Sequence, residues 1–291
     1  MALYQWKRRI GNILWYVGVI IISMITVGPF IWTVATSFKS SGEISSSMMN
    51  FLPKEFTIEN YNKVFSTMPF FTYLKNSLLL AGAGVVTNLT FGSLAGYTFA
   101  KLKFRGRKLG FMVFLASMMI PNVVIMIPLF LILSNFPLLG GNDIFGQGGT
   151  GLINSYLAII MPGAVGGYSI FFMKQFFEVL PDELGEAAKI DGCSEFQIFS
   201  RIYLPLAKTS LATLGIMTFQ AGWNSFMWPL IVLNTKEMMT VQVGLAAFQY
   251  SYSTDYGPLM AGTVVTTLPI IILFIFAQKY YVQGVADSGI K

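Results

Sequence analysis

The sequence contains no histidine and one cysteine, Cys193. A lone Cys with no His rules out a disulfide within the chain and any His/Cys metal site. Beside Gly192, Cys193 reads as a small packing residue. Charge is also scarce. Only 11% of residues are Asp, Glu, Lys or Arg, against roughly 25% in a soluble domain. No Gly-x-x-x-x-Gly-Lys-Ser/Thr run occurs. Gly148-Gly149-Thr150-Gly151 lacks the Lys and the helix-start hydroxyl, so the chain is not expected to bind ATP through a P-loop. No paired nucleophile and base suggests an enzyme.

What is present is apolar length. Charge-free windows cover 10–38, 76–100, 109–142, 144–173, 209–235 and 256–278. Each exceeds the ~20 residues an α-helix needs to cross the hydrocarbon core. Open sheet cannot span lipid, and the ~10-residue alternation of a β-barrel is missing. The expected fold is an all-α membrane protein with six transmembrane helices, near 13–35, 76–100, 109–133, 153–173, 211–233 and 259–277. None of the windows holds an ionisable residue, so a proton-coupled mechanism has no evident carrier. Nor is there an internal repeat of the kind many secondary transporters carry.

Basic residues orient the chain. Lys7, Arg8 and Arg9, then Lys101, Lys103, Arg105, Arg107 and Lys108, then Lys174, Lys189, Arg201 and Lys208, and finally Lys279 and Lys291 fall in alternate segments. The opposite segments hold only Lys39, Lys54, Lys63, Lys75 and Lys236. The positive-inside bias puts both termini in the cytoplasm, with an uncleaved first helix. The net charge of +6 therefore reports topology and does not imply nucleic acid. The expected division is residues 1–70, an N-terminal segment with the first span and an outer segment, and residues 71–291, a core of five spans. In the outer segment, Thr57 to Tyr61 reads as the capped start of a short helix running toward Phe65.

Several spans carry breakers or small residues. Ala81, Gly82, Gly84, Gly92 and Gly96 in the second permit close helix approach. Pro121 and Pro128 in the third, and Pro162 with Gly163, Gly166 and Gly167 in the fourth, predict kinks. The Gly-rich stretch 139–149 reads as a flexible external loop. In the fifth span, Gln220, Trp223, Asn224 and Trp228 combine aromatic faces with amides on one helical face. That mixture suits sugar rings, whose C–H faces stack while their hydroxyls need donors and acceptors.

The polar insert 177–205 stands apart. Pro181, Asp182 and Glu183 suit a helix start, and Gly192, permissive of left-handed backbone, suits its stop. A second piece, about Glu195–Tyr203, is expected to close before Pro205. Ala187 and Ala188 would give the first helix a low-relief surface for close contact.

Glu186-Ala187-Ala188, Gly192 and Ile202-Tyr203-Leu204-Pro205 together resemble the coupling loop of permease subunits from binding-protein-dependent ATP-binding-cassette importers, and Asp191 fits the carbohydrate branch. Trp223 to Leu230 is similar to helix five of maltose-type sugar permeases. Glu59-Asn60-Tyr61 and Gly284 to Gly289 resemble that family's second, shorter permease. Cys193 departs from the usual small Ala. The resemblance implies a type I importer permease in a bacterial inner membrane, non-catalytic itself. Its implied partners are a second homologous permease, a dimer of ATP-binding subunits holding ATP and Mg, an extracytoplasmic solute-binding protein, membrane lipid and a sugar substrate. It places the 186–192 helix in a groove of the ATPase, and the 234–256 segment, with Gln242, Gln249, Tyr250, Tyr252 and Tyr256, near the binding protein's cleft. The competing class is a self-sufficient secondary transporter or facilitator, which has no reason to carry a coupling loop.

Overall fold

The computed structural model of the chain describes residues 2–46, 50–249 and 254–289, with side chains described between residues 11 and 278. The side chains of Lys7, Arg8, Arg9, Lys279, Lys291 and the Gly284–Gly289 motif, and Tyr250 and Tyr252 altogether, lie outside the described residues. In chain order the helices are α1 (Ala2–Ser37), α2 (Ser41–Ser46), α3 (Glu59–Thr67), α4 (Phe70–Lys101), α5 (Arg107–Met118) and α6 (Asn122–Ser134). Next come α7 (Leu157–Gly163), α8 (Gly167–Val179), α9 (Glu183–Ile190), α10 (Glu195–Ile198), a π-helical turn (Phe199–Tyr203) and α11 (Leu204–Leu206). The last are α12 (Lys208–Trp223), α13 (Met227–Val232), α14 (Val241–Leu245) and α15 (Tyr256–Gly289). Four stretches are long and apolar enough to cross a membrane: Gly11–Ser37, Phe70–Lys101, Leu157–Val179 and Tyr256–Gln278. Two bent pairs, α5 with α6 and Glu195–Leu206 with α12, raise the number to as many as six where each pair counts as one span. The fold is the all-helical membrane architecture that the apolar windows predict.

Two compact units divide the chain, residues 1–68 with 245–268 and residues 69–244 with 269–291. In the first unit, α1 buries none of its most apolar window. Its end is clipped instead. Asn60 Nδ2 donates to the Ser37 and Lys39 carbonyls at 2.9 and 2.8 Å, and Ser37 Oγ meets Tyr61 Oη at 2.8 Å. Phe38 stacks on Phe56 at 4.3 Å between ring centres. Thr57 does not cap α3 as expected. It accepts from Glu59 N in a local turn, and the N-cap position falls on Ile58.

The second unit is built on α4, which packs along α8 and α12. The α4–α8 approach is set by missing side chains. A Cβ at Gly92 would lie 2.9 Å from Ser169 Cβ, and one at Gly96 would lie 2.7 Å from Met173 Cβ. Small residues do bring these helices together, and packing is what holds them, since lipid supplies no hydrophobic drive.

Three spans depart from straight rods. The third turns by 102° between α5 and α6. Pro121, in extended conformation, is the N-cap of α6, and it disfavours helix at the residue before it. Pro128 stays within α6. The fourth breaks between α7 and α8 beside Pro162, Gly163 and Gly166, where kinking was predicted. Two side chains repair the damage. Pro162 has no N–H for the Ala158 carbonyl four residues back, and Trp228 Nε1 supplies one at 3.0 Å. Asn88 of α4, almost fully buried, donates to the Gly163 carbonyl at 2.7 Å and accepts from Gly166 N and Ser169 Oγ at 3.2 and 2.7 Å. The fifth span is no continuous helix over 211–233. It stops at Trp223 and restarts at Met227.

The 139–149 loop is not the loose connector its glycines predict. Leu152 N returns to the Leu133 carbonyl at 2.9 Å and Thr150 N to the Gly140 carbonyl at 3.0 Å, closing a compact Ω-loop. Its glycines serve left-handed backbone and close approach. Gly140 has φ +60°, and a Cβ there would overlap Gly151.

Candidate functional site

The polar insert between α8 and α12 forms a small domain-like knot on the ends of the spans. Its floor is aromatic. Tyr97 of α4, Phe177 of α8, and Phe199 and Tyr203 of the π turn sit 5.2–6.4 Å apart in tilted and edge-to-face pairs. Such geometry contributes beyond the area it buries. Ala188, Ile198 and Ala207 belong to the same core.

On this floor α9 is held at both ends. Its start differs from the sequence expectation. Pro181 precedes the helix, and Asp182 is the N-cap without a side-chain capping bond. The Asp182 carboxylate instead accepts from Lys101 Nζ at 2.5 Å, and the same ammonium reaches the Leu180 carbonyl at 2.5 Å. That hydrogen bond and the Lys101 charge hold the Asp182 carboxyl below its usual range, with Lys103 and Arg107 adding to the effect. Tyr203 Oη donates to the Pro181 carbonyl at 3.0 Å.

The far end closes as predicted. Gly192 has φ +82°. Cys193 N donates to the Ala188 carbonyl at 2.9 Å and Gly192 N to the Lys189 carbonyl at 3.0 Å, the paired bonds of a Schellman stop. Ser194 then begins α10 with a capping box. Gln197 N donates to Ser194 Oγ, and Ser194 N to Gln197 Oε1 at 2.8 Å. Glu195 ties the pieces together, accepting from Lys189 Nζ at 2.6 Å and from Tyr97 Oη at 3.2 Å. Its hydrogen bond and charge raise the Lys189 pKa, with Glu186 contributing less.

The two alanines have different fates. Ala188 points into the aromatic core, whereas Ala187 is exposed with Glu186 and Asp191. The expected shared Ala187/Ala188 contact surface is therefore corrected, because a helix places adjacent residues ~100° apart. Large apolar side chains stand in the open beside it: Ile190 is 88% exposed and Phe196 68%. The second helical piece also does not close before Pro205. The π turn ends at Tyr203, and α11, which contains Pro205, carries the chain on to Leu206 before a 79° bend into α12. A widened turn accommodates the bond that Pro205 cannot make.

The four fifth-span residues are not brought onto one face. Gln220 and Asn224 are exposed, with Asn224 N bonded to the Gln220 carbonyl at 3.0 Å. Trp223 is buried and stacks on Phe219 at 5.8 Å. Trp228 lies beyond the break, packed against the cluster of Leu133, Ala158 and Val232, its indole N–H committed to Ala158. The 224/228 pairing fails because the helix ends between them. A groove of about 380 Å³ lined by Gly82, Val85, Gly215, Ile216, Phe219 and Phe276 has no polar lining residue to match a sugar.

Sequence reasoning also misses several asparagines that clip one segment to another. Asn76 donates to the Glu237 and Met239 carbonyls at 2.8 and 2.9 Å and accepts from Tyr156 Oη at 2.8 Å. Asn154 Oδ1 accepts from the backbone of Asn234 and Thr235. An amide inside or beside an apolar window was the available signal, since such a group needs partners.

Residues 88–287 match the family described as binding-protein-dependent transport system inner membrane component. The chain is 36% identical over 291 residues to the arabinooligosaccharides transport system permease protein AraQ of Halalkalibacterium halodurans, covering 98% of this chain and 99% of that one. It is 31% identical to the lactose transport system permease protein LacG of Rhizobium radiobacter, with 97% of each covered. Among solved structures it resembles a chain of a bacterial ABC transporter involved in import of the acidic polysaccharide alginate. There the TM-score is 0.79 at 26% identity, over 94% of this chain and 97% of that one.

Proposed function

The chain belongs to the family of binding-protein-dependent transport system inner membrane components, and from that premise we propose that it is one of two permease subunits of an ATP-driven oligosaccharide importer. The observation that carries this reading is the insert around α9. A short helix, stopped at Gly192, tied at its start through Asp182 to Lys101, and seated on an aromatic core shared with α4 and α8, presents Glu186, Ala187, Ile190 and Asp191 outward. An isolated eight-residue helix is marginal in water. One this firmly held serves as a lever.

In this mechanism ATP and Mg sit on a dimer of partner ATPase subunits, and the permease performs no chemistry. Closure of that dimer displaces α9. Tyr97, Phe177, Phe199 and Tyr203 pass the displacement to α4 and α8, which turn the paired permeases from inward-open to outward-open. The Lys/Arg distribution supports a cytoplasmic insert and cytoplasmic termini in a bacterial inner membrane. Sugar delivered by an extracytoplasmic binding protein enters between this chain and its homologous partner, where the exposed amides of Gln220 and Asn224 meet its hydroxyls. The 234–256 segment stands on the delivery side. The arabinooligosaccharide and lactose names of the relatives support a saccharide as cargo.

A tagged chain should copurify with two ATPase subunits and a second permease. The complex should hydrolyse ATP in a sugar- and binding-protein-stimulated manner, while the isolated chain hydrolyses none. Vanadate-sensitive turnover by the rigorously purified single chain, or sugar uptake by it alone in liposomes, would overturn the proposal.

A further inference from the structure

The Ω-loop between α6 and α7 carries an apolar tip that its own fold does not bury. Leu138 is 70% exposed, Ile144 67% and Phe145 76%. The polar groups beneath are turned inward. Asn142 Nδ2 donates to the Ser134 and Phe136 carbonyls at 2.9 and 3.0 Å, and Asn142 Oδ1 accepts from Gly149 N at 2.7 Å. Asp143 Oδ1 accepts from Phe145 N and Gln147 N at 2.8 and 2.9 Å, fixing the turn that displays Ile144 and Phe145. That turn rests on the end of α6. Gly146, at φ +79°, lies so close to the Asn135 carbonyl that a Cβ there would overlap it.

The helix below is apolar and open on its outer side, with Val123, Val124, Ile127, Leu131 and Ile132 all more than half exposed. The apolar surface of a membrane span therefore continues into the loop. Asp143 is the loop's one charged residue between Asn135 and Tyr156, and its carboxylate is engaged within the turn. A soluble partner that docks and leaves each cycle would find few hydrogen-bonding or charged side chains at this tip. The lipid interface asks for neither.

We propose that this loop is a membrane-interface anchor, with Leu138, Ile144 and Phe145 inserted at the headgroup–acyl boundary on the side opposite the α9 insert. Opposite sides follow because one span, Leu157–Val179, separates the two. The anchor sets the depth of the bent α5–α6 pair and is independent of cargo.

The test uses the assembled complex in lipid nanodiscs. In a Cys193→Ser background, a nitroxide at Phe145→Cys is compared with one at the exposed Lys236→Cys. Oxygen, which partitions into lipid, should relax the first label more than an aqueous nickel chelate does, with the ratio inverted at the second. In the otherwise unaltered chain, Phe145→Trp should add fluorescence that brominated lipids quench beyond the native tryptophans. Equal accessibility at the two labelled positions, or no added quenching, would overturn the proposal. So would an aqueous label at position 145 that is immobilised only when the solute-binding protein is added, an outcome that assigns the tip to that partner.

Discussion

Replacing Gly192 by Val isolates the coupling reading in one residue. At φ +82° the glycine occupies left-handed backbone, where a β-branched residue is strained by roughly 1–3 kcal/mol. A Cβ there would meet nothing within 4 Å, so the cost is conformational and no core is disturbed. The chain can either keep the strain or release it by unwinding the stop, losing the bonds from Gly192 N to Lys189 and from Cys193 N to Ala188. Strain kept in free and bound states alike would cancel, so the predicted loss comes from the released form, which must rebuild the stop before α9 can dock. About 1–3 kcal/mol is too little to unfold packed spans, yet it corresponds to roughly a 5- to 150-fold loss of binding. The variant should therefore reach the membrane in normal amount while ATPase association and sugar uptake fall by that order. Gly192→Asn supplies the control, because Asn tolerates left-handed backbone while adding comparable bulk. It should retain most uptake, with Gly192→Ala between the two. Uptake by Val at the wild-type rate, or equal failure of Asn and Val, would refute the backbone argument.

Lys101→Met should release the Leu180 carbonyl and Asp182 together and uncouple hydrolysis from uptake, while leaving expression unchanged. The Asp182 contribution is present above the ordinary carboxylate range and lost only as pH falls through its depressed value. The Lys189 contribution is full below the ordinary lysine range and lost only above its raised value. Uptake in proteoliposomes should therefore be flat across about pH 6–8, bracketing neutrality well away from both ordinary ranges, and a step there would contradict the assignment. Asn88→Leu orphans the Gly163 carbonyl and the Gly166 N–H, at about 1–3 kcal/mol for each buried group left unsatisfied, so the thermal midpoint of the purified complex should drop by several degrees. Gln220→Ala and Asn224→Ala should lower uptake with assembly intact, whereas Trp228→Phe, which removes the bond to Ala158 and part of the indole's packing, should lower thermal stability. Unchanged uptake in both amide variants would remove them from the pathway.

The helices were legible where composition alone decides them: a charge-free run longer than the bilayer has few alternatives to spanning it. The stop at Gly192 was legible too, because glycine, with no Cβ, is the residue most at ease in left-handed backbone. The break after Trp223 was not. Signals do flank it, since Gly222 stands just before and Pro229 has no N–H for the Ser225 carbonyl four residues back, but membrane helices often carry both without stopping, so packing decides. The packing partner of Trp228 was illegible for a related reason. It is a carbonyl orphaned by Pro162, distant in sequence, and pattern reading along one helix cannot pair them. The Ω-loop shows the opposite error, since glycine permits looseness but equally permits backbones to interlock. Ser194 and Gln197 have the spacing of a capping box, legible in the sequence itself.

The contact between α4 and α8 at Gly92 and Gly96 has a mechanical meaning. Ordinary helix interfaces contain side chains that can change rotamer, and these act as a compliant layer in which one helix slips against the other. Here backbone lies close to the Ser169 and Met173 stems with no such layer between. The two helices should therefore move as one plank, passing a push at one end to the other with little lost in between. The same stiffness makes these positions brittle. The residues with the least chemistry in the chain are then among those least able to change, since even a methyl group would wedge the plank apart.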